Sequence, residues 1–239
     1  MARPEEKNNL DNWTPLTSLG LAVKNKEITD IDQILDEGRT ILEAEITETL
    51  LPNLETDLLL VGQAKGKFGG GQRRIFKNTQ KKTREGNKPK FTVMAIAGDK
   101  NGHIGIGVGS SKETVPAREK AVRQAKMNVF KIRRGSGSWE SATVTEPHTI
   151  PFAVEGKTGS VIIRLMPAPK GKGLTVEKEC AKVLRLAGLN DVWSKAYGQT
   201  KNKMNMIKAL EKALLKLSTT KVRPQDVETL SIVEGSYDK

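Results

Sequence analysis

Residues 102–109 read Gly-His-Ile-Gly-Ile-Gly-Val-Gly, and this alternation limits the fold more than any other stretch of the chain. Side chains along a strand point to opposite faces with a period of two. Ile104, Ile106 and Val108 therefore share one face, while Gly105, Gly107 and Gly109 leave the other bare. Something must lie close against the bare face, either a helix of the same domain or an RNA backbone. The preceding apolar run, 91–97, is too short for an amphipathic helix and is bounded by turn residues, so it reads as a strand. Between the two strands, Asn101 and Gly102 suit a tight hairpin turn of the primed type.

Upstream lies a dense cationic loop: Lys65, Gly66, Lys67, Phe68, Gly69, Gly70, Gly71, Gln72, Arg73, Arg74, Ile75, Phe76 and Lys77. Glycines let the backbone take positive φ and come close to whatever the flanking cations bind, and a polyanion is the natural partner. Lys81, Lys82, Arg84, Lys88 and Lys90 follow with almost no apolar residues, as a second basic loop or an outer strand with a flexible tip. The 239 residues hold 40 Lys plus Arg against 28 Asp plus Glu, a net charge of +12. That excess favours a nucleic acid or an anionic surface, and says nothing about fold.

Other classes are poorly served. A single cysteine, Cys180, excludes an intrachain disulfide framework and suits a reducing compartment. With only His103 and His148 beside it, a structural zinc site lacks ligands, and no cofactor is expected. No run of 18 apolar residues or apolar signal core is present, so an intracellular protein is expected. No nucleophile, base and orienting partner stand out, and an enzyme is not expected.

The remaining pattern places further elements. Residues 1–25 look like a polar extension; Thr29 and Asp30 can cap helices broken at Gly38, with an acidic outer face of Asp36, Glu37, Glu43, Glu45 and Glu48 that suits a protein partner or solvent. Ser110 and Glu113 form a capping-box pair for a helix running to about Ile132, with Val115, Val122, Ala125, Val129 and Ile132 on one stripe. Residues 135–138 read as a linker. A second unit follows: strand 160–166, a loop with Lys170, Gly171, Lys172 and Gly173, a helix from about Thr175 to Gly188 that buries Cys180, strand 192–197, and a helix capped by Thr200. From Lys221 the tail has no pattern.

With both units in view, the chain resembles the fifth small-subunit ribosomal protein family over nearly its whole length. The likeness is carried by Gly98, Asp99, Asn101, Gly102, His103, Gly105 and Gly107; by Arg133, Arg134 and Gly135; by Pro147, His148 and Thr149; by Gly159, Ser160 and Val161; and by Arg164, Leu165, Pro167, Ala168, Pro169, Gly171 and Gly173. Ala187, Gly188, Ala196, Gly198 and Thr200 extend it. The Pro147-His148-Thr149 box and the helices ending at Leu50, Leu51 and Pro52 look like the archaeal and eukaryotic branch.

The resemblance implies an α+β fold: a helical N-terminal extension over 1–54, a double-stranded-RNA-binding-like domain over 55–135, a two-layer α+β domain with a left-handed βαβ crossover over 136–219, and a tail over 220–239. It implies a structural constituent of the small ribosomal subunit, in the cytoplasm. Binding to small-subunit rRNA near the decoding region and the messenger entry side, contact with the fourth and eighth small-subunit proteins, and a part in translational accuracy are implied with it. The expected rRNA-binding residues are Lys65, Lys67, Gly69, Gly70, Gly71, Arg73, Arg74, Lys77, Lys81, Lys82, Arg133, Arg134, Lys170 and Lys172. This loop has three consecutive glycines and Gln72 where relatives are usually shorter or less glycine-rich.

Physically, Arg73, Arg74 and Lys67 would neutralise phosphates while glycine amides sit close to the same anions. The helix start after Gly173 reads as a second anion site or as a simple turn. Phe68 and Phe76 suit stacking on bases or packing beneath the loop. Two other classes compete: a free double-stranded-RNA-binding regulator, and a small-molecule kinase, whose Gly-Leu-Gly-Ser-Ser loop is broken here because Thr175 and Val176 follow Gly173 and Leu174.

Overall fold

In the computed structural model the described residues are 13–64, 66, 71–139 and 146–237. Their elements, in chain order, are α1 (Ser18–Lys24), α2 (Ile31–Asp36), α3 (Ala44–Leu50), β1 (Glu55–Leu58), β2 (Phe76–Thr83), β3 (Gly86–Gly98) and β4 (His103–Ser111). Next come α4 (Thr114–Met127), β5 (Val129–Lys131), β6 (Arg133–Arg134), β7 (Val154–Thr158), β8 (Val161–Pro167) and β9 (Leu174–Thr175). The last are α5 (Lys178–Leu186), β10 (Val192–Tyr197), α6 (Lys203–Thr219), α7 (Pro224–Thr229) and β11 (Val233–Glu234).

A helix fills the glycine stripe. Antiparallel pairing sets Ala97 opposite Gly105, Ala95 opposite Gly107 and Val93 opposite Gly109, so all six share a face. α4 lies on it through Ala117, Ala121 and Ala125, a spacing of four that keeps one side of a helix toward the sheet. The backbones nearly touch: a Cβ added at Gly105, Gly107 or Gly109 would lie 2.1, 2.2 or 2.3 Å from the carbonyl oxygens of Ala125, Ala121 and Ala117. Of the two occupants expected for the bare face, the helix is the one present. The alanine stripe, not Val115, is the buried side; Val115 is 59% exposed.

α4 also ends earlier than its apolar spacing suggests. Asn128 leaves the helix at φ −97 and ψ 32 and donates to the Ile106 carbonyl at 3.3 Å, after which Val129, Phe130 and Lys131 pair with β4 as a strand. Neither does the capping box form. Glu113 sits at the N-cap without a side-chain bond, and Ser110 remains in β4.

The opposite face of the same sheet carries Met94, Ile96, Ile104 and Ile106, which join one apolar core with Cys180, Val183, Leu184 and Leu210 of the second unit. The second half of β3, residues 93–98, is thus buried on both faces, which is why it reads as an unbroken apolar run instead of an alternating one. The joint is close at its rim. A Cβ at Gly98 would lie 2.4 Å from the Leu186 carbonyl, and the Lys100 amide donates to that carbonyl at 2.9 Å. In the second unit β7, β8, β10 and β9 form a sheet in that order, with β9 parallel to β10 and α5 between them in sequence. α6 covers it with Ile207, Leu210, Leu214 and Leu217 fully buried. Its N-cap is Asn202, not Thr200.

Four expectations are corrected. Part of the N-terminal extension is structured: Thr17 caps α1 at 3.0 Å, and Leu19 and Val23 join Ile31, Ile34, Ile41 and Ile46 in a cluster against Val129. The acidic face of this segment is turned inward in part: Glu43 is buried and accepts from Trp13, Leu16 and Thr17, Glu48 meets Lys126 at 2.5 Å and Asp36 pairs with Lys131, while Asp36 and Glu37 remain exposed. The stretch 135–138 is no free linker. Ser136 is fully buried, and a Cβ on Gly137 would lie 2.1 Å from the Pro151 carbonyl. Finally, the tail forms α7 and β11, and β11 pairs antiparallel with β6.

The connection between β3 and β4 differs as well. Positive φ falls on Lys100 and Gly102, not on Asn101, so this is a longer turn than an Asn-Gly pair of the primed type. Asp99 organises it by accepting from the amides of Asn101 at 2.7 Å and His103 at 3.1 Å.

Candidate nucleic-acid interface

Past the edge of α4, β2 and the first half of β3 run on together as a two-stranded hairpin. Every residue of 77–82 and of 84–90 is exposed. The register sets Lys77 opposite Thr92, Thr79 opposite Lys90 and Lys81 opposite Lys88. Residues directly opposite share a face, and the period of two places Lys77, Lys81, Lys88 and Lys90 together. This is the side that carries Met94 and Ile96 farther along β3, toward the second unit. Directly opposed like charges destabilise an isolated pair of strands, so this face is arranged for an anion it does not itself supply. Among the described residues its ion pair is that of Lys88 with Glu85 in the turn, at 2.9 Å.

Of the two readings for residues 77–90, the outer strand is the one present. Lys82 points to the other face, beside Asn87. Lys88 and Lys90 belong with Lys77 and Lys81 but were not among the expected site residues; strand alternation on both sides of a turn at 84–85 is the signal that finds them.

The base of the glycine loop is held shut by a short ladder. The Gly62 amide donates to the Arg74 carbonyl at 2.8 Å, and the Arg74 amide to the Gln63 carbonyl at 3.1 Å. Gly62 allows the crossing, since a Cβ there would fall 2.1 Å from the Phe76 carbonyl. Arg73 is half-buried and donates to the Gly62 carbonyl at 3.2 Å, whereas Arg74 is exposed. Gly71 takes φ +73 in open space, so it serves the turn and no close contact. Phe76 packs against the cluster of Val93, Ala95 and Ala97, edge-on to Phe91 with centroids 5.5 Å apart. Lys65, Lys67, Phe68, Gly69 and Gly70 lie outside the described residues.

The other expected sites divide. Lys172 is exposed; Lys170 is exposed but paired with Glu146 at 2.9 Å. Arg133 and Arg134 turn inward to hold the tail. Arg133 meets Glu234 at 2.9 Å and donates to the Thr220 carbonyl at 2.6 Å. Arg134 is 5% exposed and donates to Asn101 at 2.9 Å and to the Gly235 carbonyl at 3.2 Å. Burial lowers its pKa against the pull of Asp99. The anion position after Gly173 is filled from within, since the Gly173 amide donates to Asp191 at 2.6 Å and Glu177 caps α5. The turn reading holds there.

Both histidines are buried, and one is locked. His103 sits between Asp99, 2.6 Å from Nδ1, and Asp32, 2.9 Å from Nε2. Burial alone would lower its pKa, but these two carboxylates outweigh it and raise it, and the same contact holds Asp99 below its ordinary value despite burial. His148, the middle residue of the Pro147-His148-Thr149 box, is buried, and its carbonyl accepts from the amides of Asn190 and Asp191. Cys180 is fully buried, and burial pushes its thiol pKa up, as suits a core residue.

Two α+β units that share one core, the first extended by a cationic hairpin beyond its helix-covered sheet, define a two-part α+β class of protein. The ribosomal protein S5 N-terminal domain matches residues 75–133 and the ribosomal protein S5 C-terminal domain matches residues 156–228. The small ribosomal subunit protein uS5 of Nanoarchaeum equitans is 47% identical over 228 residues, covering 95% of this chain and 97% of its own. That of Methanocaldococcus jannaschii is 41% identical over 227 residues, with the same two shares. That of Thermofilum pendens is 43% identical over 204 residues, 85% of this chain and 93% of its own. The chain belongs to the ribosomal protein S5 family, and these relatives are archaeal, as the Pro147-His148-Thr149 box led us to expect.

Proposed function

We propose that the protein is a non-enzymatic structural constituent of the small ribosomal subunit, and that it holds small-subunit rRNA with the cationic face of the β2–β3 hairpin and the adjoining glycine loop. One observation carries this: Lys77, Lys81, Lys88 and Lys90 converge on one face of a hairpin whose residues 77–82 and 84–90 are all exposed. Arg73, Arg74 and Gly71 stand at its root and Lys82 lies on its other face, while the exposed Lys172 and Lys170 of the second unit are further candidate contacts. Such contacts neutralise phosphates and fix position, while the shape of the RNA supplies specificity. The family likeness supports a finer placement near the decoding region and messenger entry side, beside the fourth and eighth small-subunit proteins, with a contribution to translational accuracy in the cytoplasm.

The test is binding of the full chain to full-length small-subunit rRNA of Nanoarchaeum equitans over a series of salt concentrations. Lys81→Glu with Lys90→Glu should weaken binding and reduce the salt slope by about one logarithmic unit per lost contact. Arg73→Glu with Arg74→Glu should act in the same direction. Unchanged affinity and slope in both variants would remove the hairpin and loop from the interface. Sedimentation of cell extract separates this reading from a free duplex-binding regulator, which would not travel with small subunits.

A further inference from the structure

A second basic surface lies where the cationic hairpin meets the second unit. A cleft of about 280 Å³ opens there, lined by Gln63, Arg73 and Lys77 from one side and by Gln199, Lys201 and Asn202 from the other. Among the described residues no carboxylate lines it. Arg73 is steadied by the Gly62 carbonyl at 3.2 Å. Among the described residues Lys77 and Lys201 form no ion pair and both are exposed, whereas neighbouring Lys203 is already matched to Glu177 at 2.9 Å.

Three features of this cleft point to one ligand. Its cations come from both units, so only the folded chain brings them together. Lys77 also stands in line with Lys81, Lys88 and Lys90, so the cleft is where the cationic face of the hairpin runs into the second unit. Lastly, the amino end of α6, a helix of 17 residues, opens beside Lys201; its first turn holds no acidic residue and Asn202 makes no side-chain cap. Unpaired amides at such an end add to the positive field of the lysines. Arg73 and Lys77 from one unit and Lys201 and Lys203 from the other, with Val61 and Met204 between them and no carboxylate among the described lining residues, suit the repeated charge of a phosphodiester backbone.

We propose that this cleft is a second phosphate-contacting site, so that one RNA segment lies along the hairpin face and is held at its far end by Lys201. The proposal rests on the rRNA-binding reading above, and assigns to the second unit a contact that the hairpin alone cannot make.

The experiment compares Lys201→Gln and Lys201→Arg with wild type and with Lys81→Glu/Lys90→Glu, as full-length chains, on full-length small-subunit rRNA of Nanoarchaeum equitans. Lys201 is exposed, so its variants should melt as wild type does. If one phosphate contact is lost, Lys201→Gln should bind about tenfold more weakly near 0.1 M salt, with a salt slope smaller by about one, and Lys201→Arg should restore both. If Lys201→Gln binds as wild type while the hairpin variant is weakened, the cleft proposal fails and the hairpin reading survives. If wild type itself shows no salt-dependent binding, both fail. Competition by poly-glutamate as effective as by poly-uridylate of equal charge would mark the cleft as a seat for acidic protein, and would overturn the proposal for RNA.

Discussion

Replacing Gly107 with alanine tests the contact on which the first unit is built. The added Cβ would lie 2.2 Å from both the Ala121 carbonyl oxygen and the Ala125 amide nitrogen. Carbon meets other heavy atoms comfortably at about 3.5 Å, so α4 would have to retreat by more than about 1 Å. A gap of that size forfeits a quarter to a half of the dispersion energy along the interface, and overpacking of this kind costs about 1–3 kcal/mol or more. Both atoms struck are backbone, so no truncation on the helix relieves the clash. An open glycine strand would respond in the opposite sense, because Gly inside a strand is about 0.5–1 kcal/mol worse than Ala. We expect a loss of about 3 kcal/mol in urea unfolding, which at a slope of about 2–3 kcal/mol per M lowers the midpoint by about 1 M. A neutral or stabilised Gly107→Ala chain would refute the reasoning, and one that kept its stability but lost RNA affinity would assign the stripe to RNA instead.

Two further perturbations probe the inward-facing charges. Arg134→Met removes the donor shared by Asn101 and the Gly235 carbonyl, and should cost about 2–4 kcal/mol while the amides of Val233 and Glu234 exchange faster; unchanged exchange would mean the tail is held without it. The Asp32–His103–Asp99 bridge gives stability a pH signature. His103, its pKa raised above 6.5, stabilises the fold fully below that value and loses the contribution as pH rises through its folded value. Asp99, its pKa lowered below 3.8, contributes above that value and loses it as pH falls through its folded value. The melting temperature should therefore stand highest between the two flanks, and His103→Gln should flatten the alkaline flank; an alkaline flank kept by that variant would place its origin elsewhere.

Much of the site was legible because its signals are local. A glycine at every second position announces a bare strand face whatever the rest of the chain does, and a run of lysines without apolar residues announces a surface. What misled were features whose outcome depends on residues far away. Arg133 and Arg134 carry the same charge as Arg73 and Arg74, yet a strand from the tail covers them, and only tertiary pairing distinguishes an arginine that meets solvent from one that holds a carbonyl. The partners of Glu48 and Asp36 were hidden for the same reason, because Lys126 and Lys131, which receive them, lie 78 and 95 positions along the chain.

The amino-acid sequence by itself determined the two strands around the glycine hairpin, the glycine face, the cationic stretches and the family, since each is written in residue type and spacing. Only the tertiary structure decided that a helix occupies the glycine face, that four lysines share one side of a hairpin, and that Lys201 joins Lys77 across a cleft. The physical reason is that spacing fixes the direction of a side chain relative to its own backbone, whereas its neighbour is fixed by how separate elements close over a common apolar core.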